Sequence, residues 1–184
     1  MQPIYLTGHS RPVLKVQYNV DGDLLFSCSD DQTVCMYNTY NLERVGLFQI
    51  NDSCKSMDVT KDSRYLLASA TTHGVKVFDT SNGDLIASVP VPGIMTKKVE
   101  LNYGDTAFAV IHDGERLQSA IRVFNLKDCL NTSLSVDEKA EKIKAMQVIE
   151  PPKDHLVSCM KWGPLDTTVF YATNRGRLIQ YDLN

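Results

Sequence analysis

The chain has 184 residues, of which 43% are hydrophobic and 22% charged, and its formal net charge is −3. This composition supports a sizeable core and excludes intrinsic disorder, and no run approaches the roughly 18 consecutive apolar residues that a membrane-spanning helix needs. The mildly acidic balance gives no overall attraction to nucleic acid or anionic lipid, so we expect neither nucleic acid nor a membrane as a direct partner.

Short apolar segments follow one another along the chain, separated by turns that carry Gly, Asp, Asn or Ser. Alternating and β-branched residues in these segments predict strands rather than helices. The predicted strands form four units, the last with three strands: 13–18, 24–28, 33–37 and 43–48; 55–59, 65–70, 75–78 and 84–89; 97–101, 106–111, 120–124 and 145–149; and 157–162, 168–172 and 177–182.

Each unit contains a strand that ends in an aromatic residue followed by Asp or Asn. The four pairs are Tyr37-Asn38, Phe78-Asp79, Phe124-Asn125 and Tyr181-Asp182. Their spacing starts within the roughly 40–45 residues typical of a propeller blade and lengthens along the chain, as loop insertions would produce. The repeat predicts an all-β fold, a WD-repeat β-propeller with four blades of mostly four antiparallel strands. We expect one partial propeller domain over residues 1–184, with blades at about 8–49, 50–92, 93–150 and 151–184.

One segment interrupts this repeat between the third and fourth strands of the third unit. In residues 127–142, Ser135 is followed three residues later by Glu138, which resembles a capping box and could start one or two helical turns. We expect this segment to be disordered or only partly ordered.

The first unit carries a polar set typical of WD repeats. Gly8-His9 precedes the first strand, Ser27 lies on the second, Asp31 lies in the tight turn, and Tyr37 stands where the repeat usually has Trp. Buried polar groups must satisfy one another, so we interpret His9, Ser27, Asp31 and Tyr37 as a structural network rather than a catalytic one. The other three units have no Gly-His pair before their first strand.

Several motifs together resemble the family of WD-repeat subunits of eukaryotic translation initiation factor 3, its subunit i. They lie at residues 1–9 (Met-Gln-Pro-Ile-Tyr-Leu-Thr-Gly-His), 18–19, 22–26, 43–46, 162–165 (Trp-Gly-Pro-Leu) and 180–181. The resemblance implies a seven-bladed, non-catalytic scaffold in the cytoplasm. It also implies that this scaffold docks segments of subunits b and g and supports mRNA recruitment to the small ribosomal subunit, which it meets indirectly.

The chain departs from that family in having four predicted blades instead of seven, so it corresponds to about the first half of the family's chain. The family's partner-binding positions in later blades therefore have no counterpart here. Either the sequence is an N-terminal portion of a longer protein or the short form closes in another way. For the short form, because the last unit lacks a fourth strand, we expect residues 3–6 to pair with residues 177–182, either within the chain or in a second copy. Unpaired blade edges would otherwise favour self-association.

Motifs for chemistry are missing from the sequence. It has no nucleophile elbow, phosphate-binding Gly-rich loop, zincin motif or paired Cys ligands, and its histidines are scattered singly: His9, His73, His112 and His155. Asp30-Asp31 is interpreted as a turn that accepts local backbone hydrogen bonds. We therefore expect no catalytic residue, no cofactor and no metal.

Two other residue groups point to an ordinary cytosolic surface and core. The lysines alternate with acidic residues, which favours a solvated surface over an RNA-binding one: Lys97, Lys98, Lys139, Lys142 and Lys144. The five cysteines lack a Cys-x-x-Cys spacing and lie mostly in apolar runs, as reduced core thiols do.

The sequence leaves two main function classes open. The chain is either a structural subunit of the initiation factor or a WD-repeat adaptor in another cytosolic complex, such as one for signalling or protein turnover. A propeller enzyme is a third class, which converging titratable residues at one mouth of the channel would favour.

Overall fold

The computed structural model describes residues 3–114, 118–131 and 133–183. Their strands form four antiparallel sheets, each with its strands in sequence order. The first sheet contains β1 (Val13–Tyr18), β2 (Leu24–Ser29), β3 (Thr33–Asn38) and β4 (Arg44–Gln49). The second contains β5 (Met57–Val59), β6 (Tyr65–Ala70), β7 (Gly74–Asp79) and β8 (Leu85–Val89).

The third and fourth sheets continue the repeat. The third contains β9 (Met95–Leu101), β10 (Ala107–Asp113), β11 (Ser119–Asn125) and β12 (Gln147–Ile149). The fourth has three strands within the described residues, β13 (Val157–Trp162), β14 (Thr168–Thr173) and β15 (Leu178–Asp182). We call these sheets the first to fourth blade.

The same five-residue turn joins the first and second strands of every blade. Its fourth residue has a left-handed backbone in each case: Gly22 (φ 75°), Ser63 (φ 60°), Asp105 (φ 51°) and Asp166 (φ 58°). The N–H of that residue donates to the carbonyl of the first turn residue. Gly, Asp and Ser tolerate this turn because they accept positive φ or satisfy the local backbone with a short polar side chain.

Three apolar clusters lie between consecutive blades and form the core. Their largest fully buried members include Phe26, Phe48, Met57, Leu66, Phe108, Phe124 and Ile121. Burying each such side chain contributes about 1.5–3 kcal/mol. In the described part of the chain no cluster joins the fourth blade to the first. The all-β propeller fold with four blades is therefore confirmed, as an arc that is not closed.

Residues 3–6 do not occupy the predicted position. Ile4 and Leu6 lie against the first blade, lining a cavity with Tyr18 and Tyr37, and they form no strand. The outer edge of β15 carries no further strand among the described residues. Pairing of residues 3–6 with β15 inside one chain is therefore wrong, because the segment leading to His9 is held on the first blade.

The segment expected to be disordered or only partly ordered contains two short helices, α1 (Leu126–Cys129) and α2 (Val136–Lys142). The predicted capping box is present, since the Ser135 hydroxyl accepts from the Glu138 N–H and the Glu138 carboxylate accepts from the Ser135 N–H. Lys139, predicted to be solvated, is 4% exposed, and its Nζ donates to the Ile86 carbonyl at 2.9 Å. The expected helical turns are therefore confirmed, while the prediction of a solvated Lys139 was wrong because α2 packs on β8, which its local sequence does not reveal.

The described cysteines are all free. Four of them are buried, which confirms the prediction of core thiols, while Cys159 is exposed on β13. No helix in the described ranges is long and apolar enough to cross a membrane.

Candidate functional site

The structure brings three of the four predicted network residues together at one end of the first blade. His9 Nδ1 lies 2.9 Å from Asp31 Oδ2, and His9 Nε2 lies 2.7 Å from the Ser27 hydroxyl. Asp31 also accepts from the Thr33 hydroxyl at 2.6 Å and from the Ser10 N–H at 2.9 Å. The His9 and Asp31 side chains are only 6% and 7% exposed, so each polar atom has a protein partner in place of water.

The electrostatics of this network favour an ionised Asp31. Burial alone would raise the pKa of the Asp31 carboxyl, but hydrogen bonds from Thr33, Ser10 and His9 outweigh it and lower the pKa to about 2. The carboxylate thus holds the segment before β1 onto the turn before β3. This arrangement fits a structural role; that role remains a prediction.

Tyr37, the fourth predicted member, makes a different contact. Its hydroxyl donates to the Thr7 carbonyl at 3.4 Å, and a Cβ at Gly8 would lie 2.5 Å from the Tyr37 oxygen. Gly8 is therefore required for the chain to pass so closely over the ring. Burial, followed by the nearby Cys35, raises the pKa of the Tyr37 hydroxyl.

In three of the four aromatic pairs, the Asp or Asn organises a turn. Asn38 Oδ1 accepts from the Tyr40 N–H at 2.9 Å, and Asp79 Oδ1 accepts from the Ser81 N–H at 2.9 Å. Asn125 Oδ1 accepts from the Lys127 N–H at 3.0 Å and caps α1. These are Asx turns, in which the side chain replaces a backbone partner two residues on. Tyr181 and Asp182 lie at the corresponding end of β15.

The aromatic rings of two of these pairs pack on phenylalanines. Phe78 contacts Phe48 of the first blade with ring centroids 5.6 Å apart, and Phe124 stacks on Phe108 at 5.3 Å. Rings at such distances attract each other beyond the effect of burial alone. The aromatic positions therefore contribute to packing, one of them across a blade junction.

Polar contacts across each blade junction were not predicted from the sequence. In all three junctions, the residue four positions before the turn between the first and second strands donates to a main-chain carbonyl on the first strand of the following blade. The contacts are Lys15 Nζ to Met57 O at 2.6 Å, Ser56 Oγ to Val99 O at 3.3 Å and Lys98 Nζ to Met160 O at 2.7 Å. The signal that could have found them is the Lys or Ser that recurs four positions before this turn.

Glu100 forms the densest charge cluster among the described residues. Its two carboxylate oxygens lie 2.6 Å from Lys98 Nζ and 2.8 Å from Lys161 Nζ, and its side chain is 10% exposed. The hydrogen bond to Glu100 raises the pKa of the Lys161 ammonium. Two ammonium groups therefore pair with one largely buried carboxylate between the third and fourth blades.

His112 is the described histidine with the most perturbed environment. Arg122 Nε donates to His112 Nε2 at 3.0 Å, and His112 Nδ1 has no partner among the described residues. Burial, reinforced by the Arg122 charge, lowers the pKa of His112 to about 4, so the ring is neutral near pH 7. No nucleophile lies within hydrogen-bond distance of it. In the part of the chain that the structure describes, no group of three or more His, Cys, Asp or Glu residues could hold a metal ion.

The outer edge of the first blade is an open strand edge. β4 is the last strand of its sheet, and its Val45 and Leu47 side chains are 51% and 45% exposed. The N–H of Ile50 donates inward to the Gln32 carbonyl. Because inward and outward groups alternate along an antiparallel strand, the N–H and carbonyl of Leu47 point outward. The corresponding edge of the second blade is covered by α2.

Comparison with known proteins agrees with this architecture. The sequence profile of the family "WD domain, G-beta repeat" matches residues 2–38. Among solved structures, the C-terminal WD40 domain of Sif2 superposes with a TM-score of 0.77 at 19% identity, over 97% of this chain and 48% of that one. Hydrazine synthase of Kuenenia stuttgartiensis superposes with a TM-score of 0.71 at 10% identity, over 86% of this chain and 42% of that one. The blades and their junctions thus define a WD-repeat protein of the β-propeller class.

Proteins with similar sequences show which members of the WD-repeat class this chain resembles. The chain is 29% identical over 185 residues to eukaryotic translation initiation factor 3 subunit I of Drosophila melanogaster, and 30% identical over 186 residues to the protein of the same name from Brugia malayi. Each match covers 100% of this chain and 54% of the relative, so the chain spans about half the length of the curated relatives it matches. It is a WD-repeat protein related to subunit I of initiation factor 3.

Proposed function

We propose that this chain is a non-catalytic scaffold subunit of eukaryotic translation initiation factor 3. It works in the cytoplasm, supporting assembly of the factor and mRNA recruitment to the small ribosomal subunit. The observation that carries the proposal is the match to subunit I along the whole of this chain in both fly and nematode relatives. The motifs at residues 1–9 and 162–165 support it independently.

The proposed partners are subunits b and g of the factor, with the small ribosomal subunit reached through them. An extended partner segment can add to an exposed sheet edge, where main-chain hydrogen bonds give affinity and alternate side chains give specificity. The edge of β4 suits this mode because it is open and apolar at Val45 and Leu47. The edge of β8 does not suit this mode, because α2 covers it.

A capture experiment tests both levels of the proposal. The tagged chain is expressed in its native cytosol and recovered under mild conditions, and the co-purifying proteins are identified by mass spectrometry. We expect subunits b and g. The Leu47→Pro variant removes the outward N–H of β4 and is expected to reduce their recovery at least tenfold, whereas the matched Leu47→Thr variant keeps the N–H and the recovery.

The outcomes separate the membership of the complex from the docking edge. Recovery of a different stable set by the folded chain would replace the initiation factor with the adaptor function. Equal recovery by Leu47→Pro and Leu47→Thr, with unchanged circular dichroism, would exclude β4 as the docking edge and leave membership standing.

A further inference from the structure

A cavity of about 590 Å³ lies at one end of the third blade, where two linkers meet the ends of its strands. Its walls include the linker before β9 (residues 92–94), the ends of β10 and β11, and the linker before β13 (residues 150–155). We call it the third-blade cavity. Its described walls come from one blade and the linkers on either side of it.

Two polar side chains on neighbouring strands line this cavity together. Arg122 on β11 pairs with Val110 across the sheet, and His112 on β10 pairs with Ala120. Arg122 and His112 are therefore diagonal neighbours on one face of the third blade. Arg122 Nε donates to His112 Nε2 at 3.0 Å, so the neutral ring carries its hydrogen on Nδ1. His112 thus orients the guanidinium without neutralising its charge.

The half-buried Arg122 has no counter-ion in the described part of the chain. The carboxylate beside His112, that of Asp113, is already engaged, because Lys97 Nζ lies 2.5 Å from its Oδ2 and the Ser119 hydroxyl donates to its Oδ1 at 2.5 Å. No other carboxylate of the described ranges forms an ion pair with the guanidinium. A desolvated charge of this kind is costly unless it is paired, which makes Arg122 a candidate ligand-binding residue.

The unpaired polar groups at this site are donors. The terminal amino groups of Arg122 carry N–H groups that the bond to His112 does not use. His112 is 5% exposed, and its Nδ1 has no partner among the described residues. Lys153 adds an exposed ammonium group at the rim of the cavity. Donors without acceptors favour an oxyanion, which accepts charge-assisted hydrogen bonds from a guanidinium.

The other walls favour a carboxylate over a phosphate or a simple ion. A volume of about 590 Å³ lies within the roughly 300–1,000 Å³ of pockets that take organic ligands. Glu150 and Asp154 also line the cavity, and their charges repel a doubly charged phosphate more strongly than a single carboxylate. Pro92 and Ile94 supply apolar wall for the carbon skeleton that carries the carboxylate.

We propose that the third-blade cavity binds a carboxylate on a peptide segment of a partner protein, which the terminal amino groups of Arg122 grip while His112 holds the guanidinium in place. The carboxylate belongs to an acidic side chain or to a C-terminus. A peptide segment reaches the cavity because residues 152–154 of the lining linker are exposed. This site is separate from the edge of β4 and does not depend on which complex the chain joins.

Two-dimensional NMR of the ¹⁵N-labelled chain tests the site with two matched peptides, acetyl-Ala-Glu-Ala-amide and acetyl-Ala-Gln-Ala-amide. We expect the glutamate peptide to shift the amide signals of Ile94, Ala120 and Arg122 and to bind at least tenfold more tightly than the glutamine peptide. Equal binding of the two peptides, or unchanged signals at these residues, overturns the proposal. Equally tight binding of acetate overturns the peptide as occupant, and tighter binding of inorganic phosphate overturns the carboxylate.

Variants of the chain test the role of the guanidinium. Arg122→Gln keeps an N–H donor for His112 Nε2 and is expected to weaken binding of the glutamate peptide at least tenfold, with unchanged circular dichroism. Lys153→Met, at an exposed residue of the rim, is expected to weaken it about two- to fivefold. Arg11→Gln, at a side chain 66% exposed outside the cavity, is the matched control and keeps the wild-type affinity. Wild-type affinity in both Arg122→Gln and Lys153→Met overturns the assignment.

Discussion

Lys15 on the first blade donates from Nζ to the main-chain carbonyl of Met57 on the second, over a distance of 2.6 Å. The ammonium is largely buried, and this burial lowers the pKa of Lys15. Similar donors in the next two junctions make this contact part of the repeat. The junctions are therefore held by charge-assisted or hydroxyl hydrogen bonds as well as by apolar packing.

Replacing Lys15 by Met keeps the apolar stem and removes the ammonium. We expect the free energy of unfolding to fall by about 1–2 kcal/mol, since the Met57 carbonyl loses a charged donor while one buried charge is relieved. Urea denaturation measures the change. Lys61→Met, at an exposed side chain, is the matched control and should change stability by less than about 0.5 kcal/mol. Equal stability of wild type and Lys15→Met would contradict a role for the contact.

The low pKa of Asp31 predicts that the folded chain loses stability in strong acid. Its folded-state pKa of about 2 lies below the ordinary value of 3.8, so its contribution is present above pH 4 and is lost as the pH falls from about 4 to about 2. Asp31→Asn is expected to be less stable than wild type by about 2 kcal/mol at pH 6, with the gap closing toward pH 2. Asp21→Asn, in an exposed turn, is the control. A gap that is independent of pH would show that Asp31 is not held as a carboxylate.

The lowered pKa of His112 predicts a second loss of folding stability, at a higher pH than the loss caused by Asp31. Its folded-state pKa of about 4 lies below the ordinary value of 6.5, so protonation favours the unfolded chain and stability is lost as the pH falls from about 6.5 to about 4. The loss is expected to be about 2–3 kcal/mol for wild type. His112→Gln retains an acceptor for Arg122 and should flatten this part of the curve, while His73→Gln, at an exposed ring, should preserve it. An unchanged slope in His112→Gln would refute the buried neutral ring.

Two glycines with similar backbones predict unequal costs of substitution. Gly74 has φ +85° and Gly22 has φ +75°, but a Cβ at Gly74 would collide with the Val89 carbonyl oxygen, whereas a Cβ at Gly22 meets nothing within 4 Å. We expect Gly22→Ala to cost about 1–2 kcal/mol from the left-handed backbone alone and Gly74→Ala more than about 3 kcal/mol. Thermal denaturation followed by circular dichroism compares them. Equal costs would mean that the β7–β8 approach is not fixed as described.

The strands, the turns and the Asx pairs could be predicted because each depends on residues close together in sequence. The aromatic position before Asn38 or Asp79 and the left-handed turn residues carry their own local chemistry. The approach of His9 to Asp31 followed from a pattern within one repeat. By contrast, Lys15 and Met57 are 42 residues apart, and their contact depends on how two sheets stack.

Other features could not be predicted for the same reason. The burial of Lys139 depends on the docking of α2 against β8, and the position of residues 3–6 depends on the surface of the first blade. Neither surface exists until the blades have packed. Local sequence therefore defines the repeat unit, while the contacts between units are set by tertiary packing.

Sedimentation of a native cytosolic extract, after brief cross-linking, tests the proposed function most directly. On a sucrose gradient, we predict that this chain enters the small-ribosomal-subunit fractions together with subunits b and g of initiation factor 3. If subunits b and g enter those fractions while this chain remains at the top of the gradient, the chain is not a subunit of the working factor and the proposal is contradicted.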